Sequence, residues 1–268
     1  MATSTVKLPL ALESQAAINA RLDGKKAAVF LDYDGTLTPI VDRPDLAVMS
    51  EANRAVVRAL SERCTVAIVS GRDRLDVEKL VGIDTLVYAG SHGFDIASPD
   101  GRTMQREEGG EFAEILEDVI AWLHREMDPI EGALVEPKKA SVAAHYRLVA
   151  EQDHPKIKAL VDAVLAKYDN LRVTPGKMVY EIQPKIDWHK GKAVLHVLAS
   201  LGLDTPDVVP FYFGDDITDE DAFAALSGRG VGVLVADITD ASTHRATDAD
   251  YRVSDTDETI AFLDALAR

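Results

Sequence analysis

Apolar positions fall along this chain in two rhythms. Continuous apolar runs at residues 27–31, 65–69, 86–89, 208–213 and 231–235 are too short for helices and rich in strand formers. Such runs indicate strands buried on both faces, as in a parallel sheet. Between them, apolar residues recur at helical spacing over 13–22, 50–62 with Ser50 placed as N-cap, 193–201 and 258–267. Alternation of strand and helix predicts an α/β fold with a doubly wound parallel sheet. A turn at Pro99-Asp100-Gly101, with a return strand after it, ends the first half of that pattern.

From residue 111 the rhythm changes. Phe112, Ile115, Leu116, Val119, Ile120 and Leu123 predict a helix over 111–127, followed by short strands at 133–136 and 141–147. A second helix over 155–168 and strands at 171–174 and 178–183 complete an α-β-β-α-β-β unit. Two helices then cover one face of a small antiparallel sheet, so the segment reads as an inserted α+β cap domain. The expected division is residues 1–107 and 185–268 for the core and 108–184 for the cap, whose other sheet face is left to cover the active crevice.

The 268 residues suffice for such a core and insert, and 47% hydrophobic with 28% charged residues is the composition of a soluble globular protein. A formal net charge of −16 argues against nucleic-acid or anionic-membrane partners, so an anionic substrate has to be met by local cations. The single Cys64 excludes an intramolecular disulfide and fits a reducing cytoplasm, and its place in an apolar run indicates core packing. No leader, membrane-length run, repeat or low-complexity tract is evident, so a soluble, cytoplasmic, unprocessed protein is expected.

The most informative stretch is Val29-Phe30-Leu31-Asp32-Tyr33-Asp34-Gly35-Thr36-Leu37-Thr38-Pro39. Its strand delivers Asp32 and Asp34 two residues apart at the carboxyl end, where open α/β sheets place their ligands, and Gly35 permits the turn. Two carboxylates crowded there repel each other unless a cation lies between them, which implies Mg²⁺ held by Asp32 and Asp34. The plainer alternative is a strand followed by a solvated Asp-Gly turn. Ser70-Gly71 after the second strand offers a hydroxyl and backbone N–H groups to a phosphate oxygen. Lys190 stands at a helix start, against the usual dipole preference, where it can neutralise a carboxylate and a phosphoryl group. Gly214-Asp215-Asp216-Ile217-Thr218-Asp219-Glu220-Asp221 is a second acidic strand end, with Asp215 completing the oxygen-rich Mg²⁺ site and Asp219 to Asp221 open to a helix-capping role.

In the insert, the segments Glu136 to Arg147 and Gly176 to Glu181 carry carboxylates and cations suited to a polyhydroxylated ligand. By composition alone, a solvated sheet face with cross-strand ion pairs is the better reading.

The ordered set Asp32-x-Asp34, Ser70, Lys190 and Gly214-Asp215-Asp216-x-x-Asp219 resembles the signature of the haloacid dehalogenase superfamily of phosphotransferases. That resemblance implies a HAD-like core in which Asp32 attacks phosphorus to form an aspartyl-phosphate while Asp34 serves as acid and then base. Finer strings, among them Ser70-Gly71-Arg72, Gly90-Ser91-His92-Gly93, Trp188-His189-Lys190-Gly191 and the two cap segments, are similar to those of trehalose-6-phosphate phosphatases. The likeness implies a sugar site formed by Glu136, Lys138, Arg147, Lys177 and Glu181, with Arg72 and His92 also on the substrate, and it overturns the solvated reading of the cap face. Gln183 stands where relatives often carry Arg and is left out of that site.

The resulting expectation is a monomeric, Mg²⁺-dependent phosphatase releasing trehalose and phosphate from trehalose 6-phosphate. A related enzyme acting on another sugar phosphate such as sucrose-phosphate, and a non-catalytic sugar-phosphate sensor, remain as alternatives. A receiver-type phospho-acceptor module shares the acidic strand end and the lysine but is about half this length and carries no insert.

Overall fold

The structure is a computed structural model that describes residues 2–103, 112–138 and 140–268. In chain order the elements are β1 (Thr3–Ser4), α1 (Gln15–Leu22), β2 (Lys26–Leu31), α2 (Glu51–Ser61), β3 (Thr65–Val69), α3 (Arg74–Val81), β4 (Val87–Gly90), β5 (Asp95–Ala97), α4 (Ala113–Met127), β6 (Leu134–Pro137), β7 (Val142–His145), α5 (His154–Lys167), β8 (Leu171–Gly176), β9 (Val179–Pro184), α6 (Lys190–Ser200), β10 (Val208–Gly214), α7 (Glu220–Leu226), β11 (Val231–Val235), β12 (Ala246–Thr247), β13 (Tyr251–Val253) and α8 (Thr256–Ala267). They form two units, Met1–Met104 with Trp188–Arg268, and Gln105–Asp187. The boundary expected at 107/108 and the start of the helix expected from 111 lie outside the described residues, as does Lys139.

The first unit is built on a seven-stranded sheet of order β13-β11-β10-β2-β3-β4-β5. Every pairing in it is parallel except β4 with β5. Strand side chains alternate between faces. Val29 and Leu31, Val66 and Ile68, and Val209, Phe211 and Phe213 therefore share one face with Val57 and Leu60 of α2, Val77 and Val81 of α3, and Phe262 and Leu263 of α8. Tyr212 points to the other face, where its ring meets Phe223 of α7 edge-on at 5.6 Å. Both faces are thus covered, which is why β2, β3 and β10 read as unbroken apolar runs.

The chain leaves β2 toward β3 and β4 on one side and comes back through β10, β11 and β13 on the other. The order of strands therefore reverses between β2 and β10, and such a switch point opens a crevice at the carboxyl ends. Three details depart from the sequence reading. A further strand, β13, which the apolar runs did not include, pairs outside β11. The return strand after the 99–101 turn is represented, among the described residues, by a single bridge between Ala97 and Thr103. Helix α6 starts at Lys190, three residues before the expected start, so the lysine occupies its first turn.

The second unit holds a four-stranded antiparallel sheet of order β6-β7-β9-β8. Val135, Val142, Ala144 and Ile182 pack with Leu116, Val119, Leu123 and Met127 of α4 and with Ile157, Val161 and Val164 of α5 in a core of its own. β7 stops at His145 rather than 147, since the main chain turns there with Val149 N–H donating to the Tyr146 carbonyl. Among the described residues no helix is long and apolar enough to cross a membrane.

Candidate active site

Parallel pairing in the register Phe213↔Leu31 sets the ends of β2 and β10 side by side, and Asp32 N–H donates to the Phe213 carbonyl at 2.9 Å. The two acidic strand ends therefore converge. Gly35 takes φ +81° in the turn after β2, and a Cβ there would lie 2.3 Å from Asp215 Oδ2. Only glycine lets the two loops approach this closely.

Asp32, Asp215 and Asp219 bring carboxylate oxygens within 4.8 Å of one another. Lys190 Nζ, on a side chain 3% exposed, lies 3.0 Å from Asp32 Oδ1 and 2.7 Å from Asp219 Oδ1. Fully ionised, the three carboxylates and one ammonium leave two negative charges uncompensated in a recess. Hard oxygen ligands with that excess suit a divalent cation. The three are not equivalent, however. Asp219 Oδ1 accepts from Lys190 and from the Tyr212 hydroxyl at 2.6 Å, while Oδ2 accepts from the N–H groups of Asp215 and Asp216 at 3.0 and 2.9 Å. With both oxygens so occupied, Asp219 orients Lys190 and the Asp215 turn, leaving Asp32 and Asp215 as the residues better placed to hold a cation.

Charge states follow from this packing. Burial pushes the Asp32 carboxyl well above the ordinary carboxylate range, Asp219, Asp215 and Asp34 push it further, and Lys190 alone among its neighbours named here pulls it down. Burial works against the Lys190 charge, but the Asp219 and Asp32 carboxylates outweigh it and raise the lysine. A divalent cation would remove the penalty on the Asp32 anion.

Ser70 follows β3, buried, with its Oγ accepting from Arg72 N–H at 3.1 Å. Arg72 and Asp34 were expected on the substrate and on the metal, and the structure pairs them with each other. Arg72 Nε and Nη2 donate to Asp34 Oδ2 and Oδ1, both at 2.7 Å, and Nη1 donates to Asp76 Oδ2 at 3.0 Å. The guanidinium also lies 5.5 Å from the centre of the Tyr33 ring. Asp34 is accordingly not among the three gathered carboxylates. His92 comes from a segment in which Ser91, His92 and Gly93 all take left-handed φ, at 49°, 56° and 91°. Strain of about 1–3 kcal/mol per non-glycine residue in that region persists only where the surroundings impose it. Here Ser91 N–H donates to the Arg72 carbonyl and His92 N–H to the Ser70 carbonyl. The imidazole is thereby set over Gly71, where a Cβ would come 2.9 Å from His92 Cε1.

In the second unit, Glu136, Ala143, Glu181 and Thr174 are register partners across the sheet. Glu136 and Glu181 thus stand on one face, separated by a strand. Glu181 is 7% exposed, accepts from Lys138 Nζ at 2.9 Å and also receives the Ser141 hydroxyl. Glu136 meets His145 Nε2 at 2.7 Å, and Arg147 Nη2 donates to the Lys177 carbonyl at 2.9 Å. Glu181 and the Lys138 side chain are thus a buried, paired group, while Glu136, His145 and Arg147 are half-buried and Lys177 is exposed. Sequence reasoning passed over Ser141 and His145, although both lie inside the segment it singled out, and it did not anticipate Tyr212, whose hydroxyl was hidden in an apolar strand.

A family model described as trehalose-phosphatase matches residues 30–257. Trehalose 6-phosphate phosphatase RA3 of Zea mays is 42% identical over 276 residues, covering 97% of this chain and 75% of that protein. Trehalose-phosphate phosphatase B of Arabidopsis thaliana is 39% identical over 272 residues, covering 97% of this chain and 71% of that protein. Among solved structures, the C-terminal domain of C. albicans trehalose-6-phosphate phosphatase superposes with a TM-score of 0.76 at 23% identity, covering 97% of this chain and 98% of that one, a likeness of fold. With the match spanning both acidic strand ends, the lysine and the whole insert, the chain belongs to the trehalose-phosphatase family.

Proposed function

We propose that this protein hydrolyses trehalose 6-phosphate to trehalose and phosphate. The observation that carries the reading is Asp32 at the β2–β10 switch point, bridged by Lys190 to Asp219 and facing Asp215, in a chain of this family. Asp32 Oδ attacks phosphorus and the bond to the sugar oxygen breaks, leaving an aspartyl-phosphate. Asp34 gives its proton to the departing sugar oxygen, then takes one from the water that attacks the aspartyl-phosphate. Lys190 balances charge on Asp32 and on the phosphoryl oxygens, and the Ser70 hydroxyl donates to one of them. Arg72, locked on Asp34 and Asp76, serves by orienting the acid–base group. Mg²⁺, held by Asp32 and Asp215, would supply positive charge to the phosphoryl oxygens.

We infer that the second unit recognises the sugar, with Glu136, Lys138, Arg147, Lys177 and Glu181 as its hydroxyl-binding groups, and that His92 is a further substrate-binding residue. Support comes from the pairing of Lys138 and Ser141 on Glu181, which holds a carboxylate ready to accept from sugar hydroxyls. We read the protein as a monomer acting in the cytoplasm, a location that fits a single cysteine, Cys64, whose thiol burial pushes up to about 11.

The test is phosphate release from trehalose 6-phosphate, sucrose 6-phosphate, glucose 6-phosphate and p-nitrophenyl phosphate with Mg²⁺ present. Selective turnover of trehalose 6-phosphate is expected. Preference for another sugar phosphate would reassign the substrate, and binding without turnover would make the protein a sensor.

A further inference from the structure

The Asp215 turn is clamped from a part of the chain that the proposed chemistry does not use. Arg245 Nη2 donates to the Asp215 carbonyl at 3.1 Å, and its Nε donates to Glu220 Oε1 at 3.1 Å. Glu220 follows Asp219 directly, and its other oxygen accepts from the Thr247 hydroxyl and from Asp248 N–H, both at 3.0 Å. One guanidinium thus spans the two ends of the loop from Asp215 to Glu220. On its inner side the same loop is held by Asp219 Oδ2, which takes the N–H groups of Asp215 and Asp216. Peptide groups on both sides of the Asp215 Cα are therefore held by ions, an anion on the N–H and a cation on the carbonyl, and charge-assisted bonds of this kind are the strong ones.

Arg245 is itself fixed. Its carbonyl accepts from Thr5 N–H at 3.0 Å, its N–H donates to Thr5 Oγ1 at 3.3 Å, and Thr5 Oγ1 donates on to the Thr243 carbonyl at 3.1 Å. β1 pairs with β12 immediately beside it, in the register Thr3↔Thr247 and Ser4↔Ala246. Thr5 and Thr247 are both buried. An arginine free to swing would add little, whereas one braced on both its main chain and its guanidinium transmits a position.

We infer that Arg245 is a positioning residue that sets the Asp215 carboxylate for a divalent cation, acting through the Asp215 main chain. The inference rests on the proposed metal site and adds to it a brace formed by β1, β12 and Glu220. Groups that orient a metal ligand commonly govern affinity by about 10–100-fold. Arginine is needed because its planar fork reaches a carbonyl and a carboxylate at once, which a lysine ammonium on a flexible stem does not.

The experiment is isothermal titration of Mg²⁺ into full-length wild type, Arg245→Gln and Arg245→Lys, with melting curves in chelator and in saturating Mg²⁺. Expected are a Kd for Mg²⁺ about tenfold higher in Arg245→Gln, an intermediate value in Arg245→Lys, and a smaller rise in Tm on adding Mg²⁺ for both. Arg245→Gln that melts earlier in chelator yet binds Mg²⁺ as tightly as wild type would make the residue structural only and overturn the inference. Should Arg245→Gln not fold, Arg245→Lys carries the same two readings, because it keeps a cation against Glu220. Wild type that takes up no Mg²⁺ would overturn the metal site and this inference together, whereas equal affinities in all three proteins would overturn this inference alone.

Discussion

Arg72 grips Asp34 with two parallel hydrogen bonds of 2.7 Å each, so the group proposed to move protons is held in one orientation before any substrate arrives. A bidentate arginine fixes a carboxylate in plane as well as in charge. Arg72→Lys should therefore lower kcat by about 10–100-fold with little change in KM, since a misplacement near 1 Å can cost two orders of magnitude. Steady-state kinetics on trehalose 6-phosphate checks this, and an unchanged kcat would show that Asp34 needs no such hold.

Asp32→Asn should abolish turnover, because an amide does not attack phosphorus. It should also melt higher than wild type in excess chelator. Burial and three neighbouring carboxylates disfavour the Asp32 anion in the folded state, so its neutral replacement relieves repulsion that the unfolded chain does not feel. Melting curves in chelator decide the point, and a lower Tm would mean that the bond to Lys190 outweighs that repulsion.

Chelating divalent cations should stop the reaction, and Gly35→Ala should mimic that loss in the presence of Mg²⁺. A methyl group at this left-handed position would meet Asp215 Oδ2 at 2.3 Å and drive the carboxylate away from Asp32. The measurement is activity against Mg²⁺ concentration. Full activity of either the chelated enzyme or the variant would contradict the arrangement.

Glu181 tests the cap. Truncation to alanine would take an anionic partner from the ammonium of Lys138, whose side chain is only 8% exposed, and confuse recognition with folding. Glu181→Gln keeps the shape and one acceptor oxygen. Its kcat/KM for trehalose 6-phosphate should fall by about 1–3 kcal/mol, while p-nitrophenyl phosphate, which has no sugar to lose, should be hydrolysed as by wild type. Equal losses on both substrates would point to damage elsewhere.

The strands that carry the chemistry were legible because each is buried on both faces and ends in a polar turn. β3 and β11 were bounded to the residue, and β2 and β10 to within one. β13 escaped because Tyr-Arg-Val has three residues and a charge in the middle, as an edge strand permits. At the site, the residue types were readable but their partners were not. Arg72 was read as meeting substrate, and sequence order did not show that Asp34 and Asp76 both lie within reach of its guanidinium. Asp219 was left open to a helix-capping role, and the acidic string alone could not show the four donors that its carboxylate receives. Arg245 gave no signal at all, since an arginine in a loop far along the chain carries no spacing that points to Asp215.

The pairing of β2 with β10 also bears on how the protein is made. Val29 and Phe211 are register partners although most of the chain lies between them. On a ribosome, β3 follows β2 closely and can pair with it, but the edge of β2 that needs β10 waits until the whole of the intervening chain has been synthesised. The intervening Gln105–Asp187 unit has its own apolar centre and mostly neighbouring strand pairings, so it is able to collapse during that wait and shorten the effective loop that β10 must close. Asp32 and Asp215 therefore meet only once β10 has been made, and a nascent chain remains unable to act on phosphate until then.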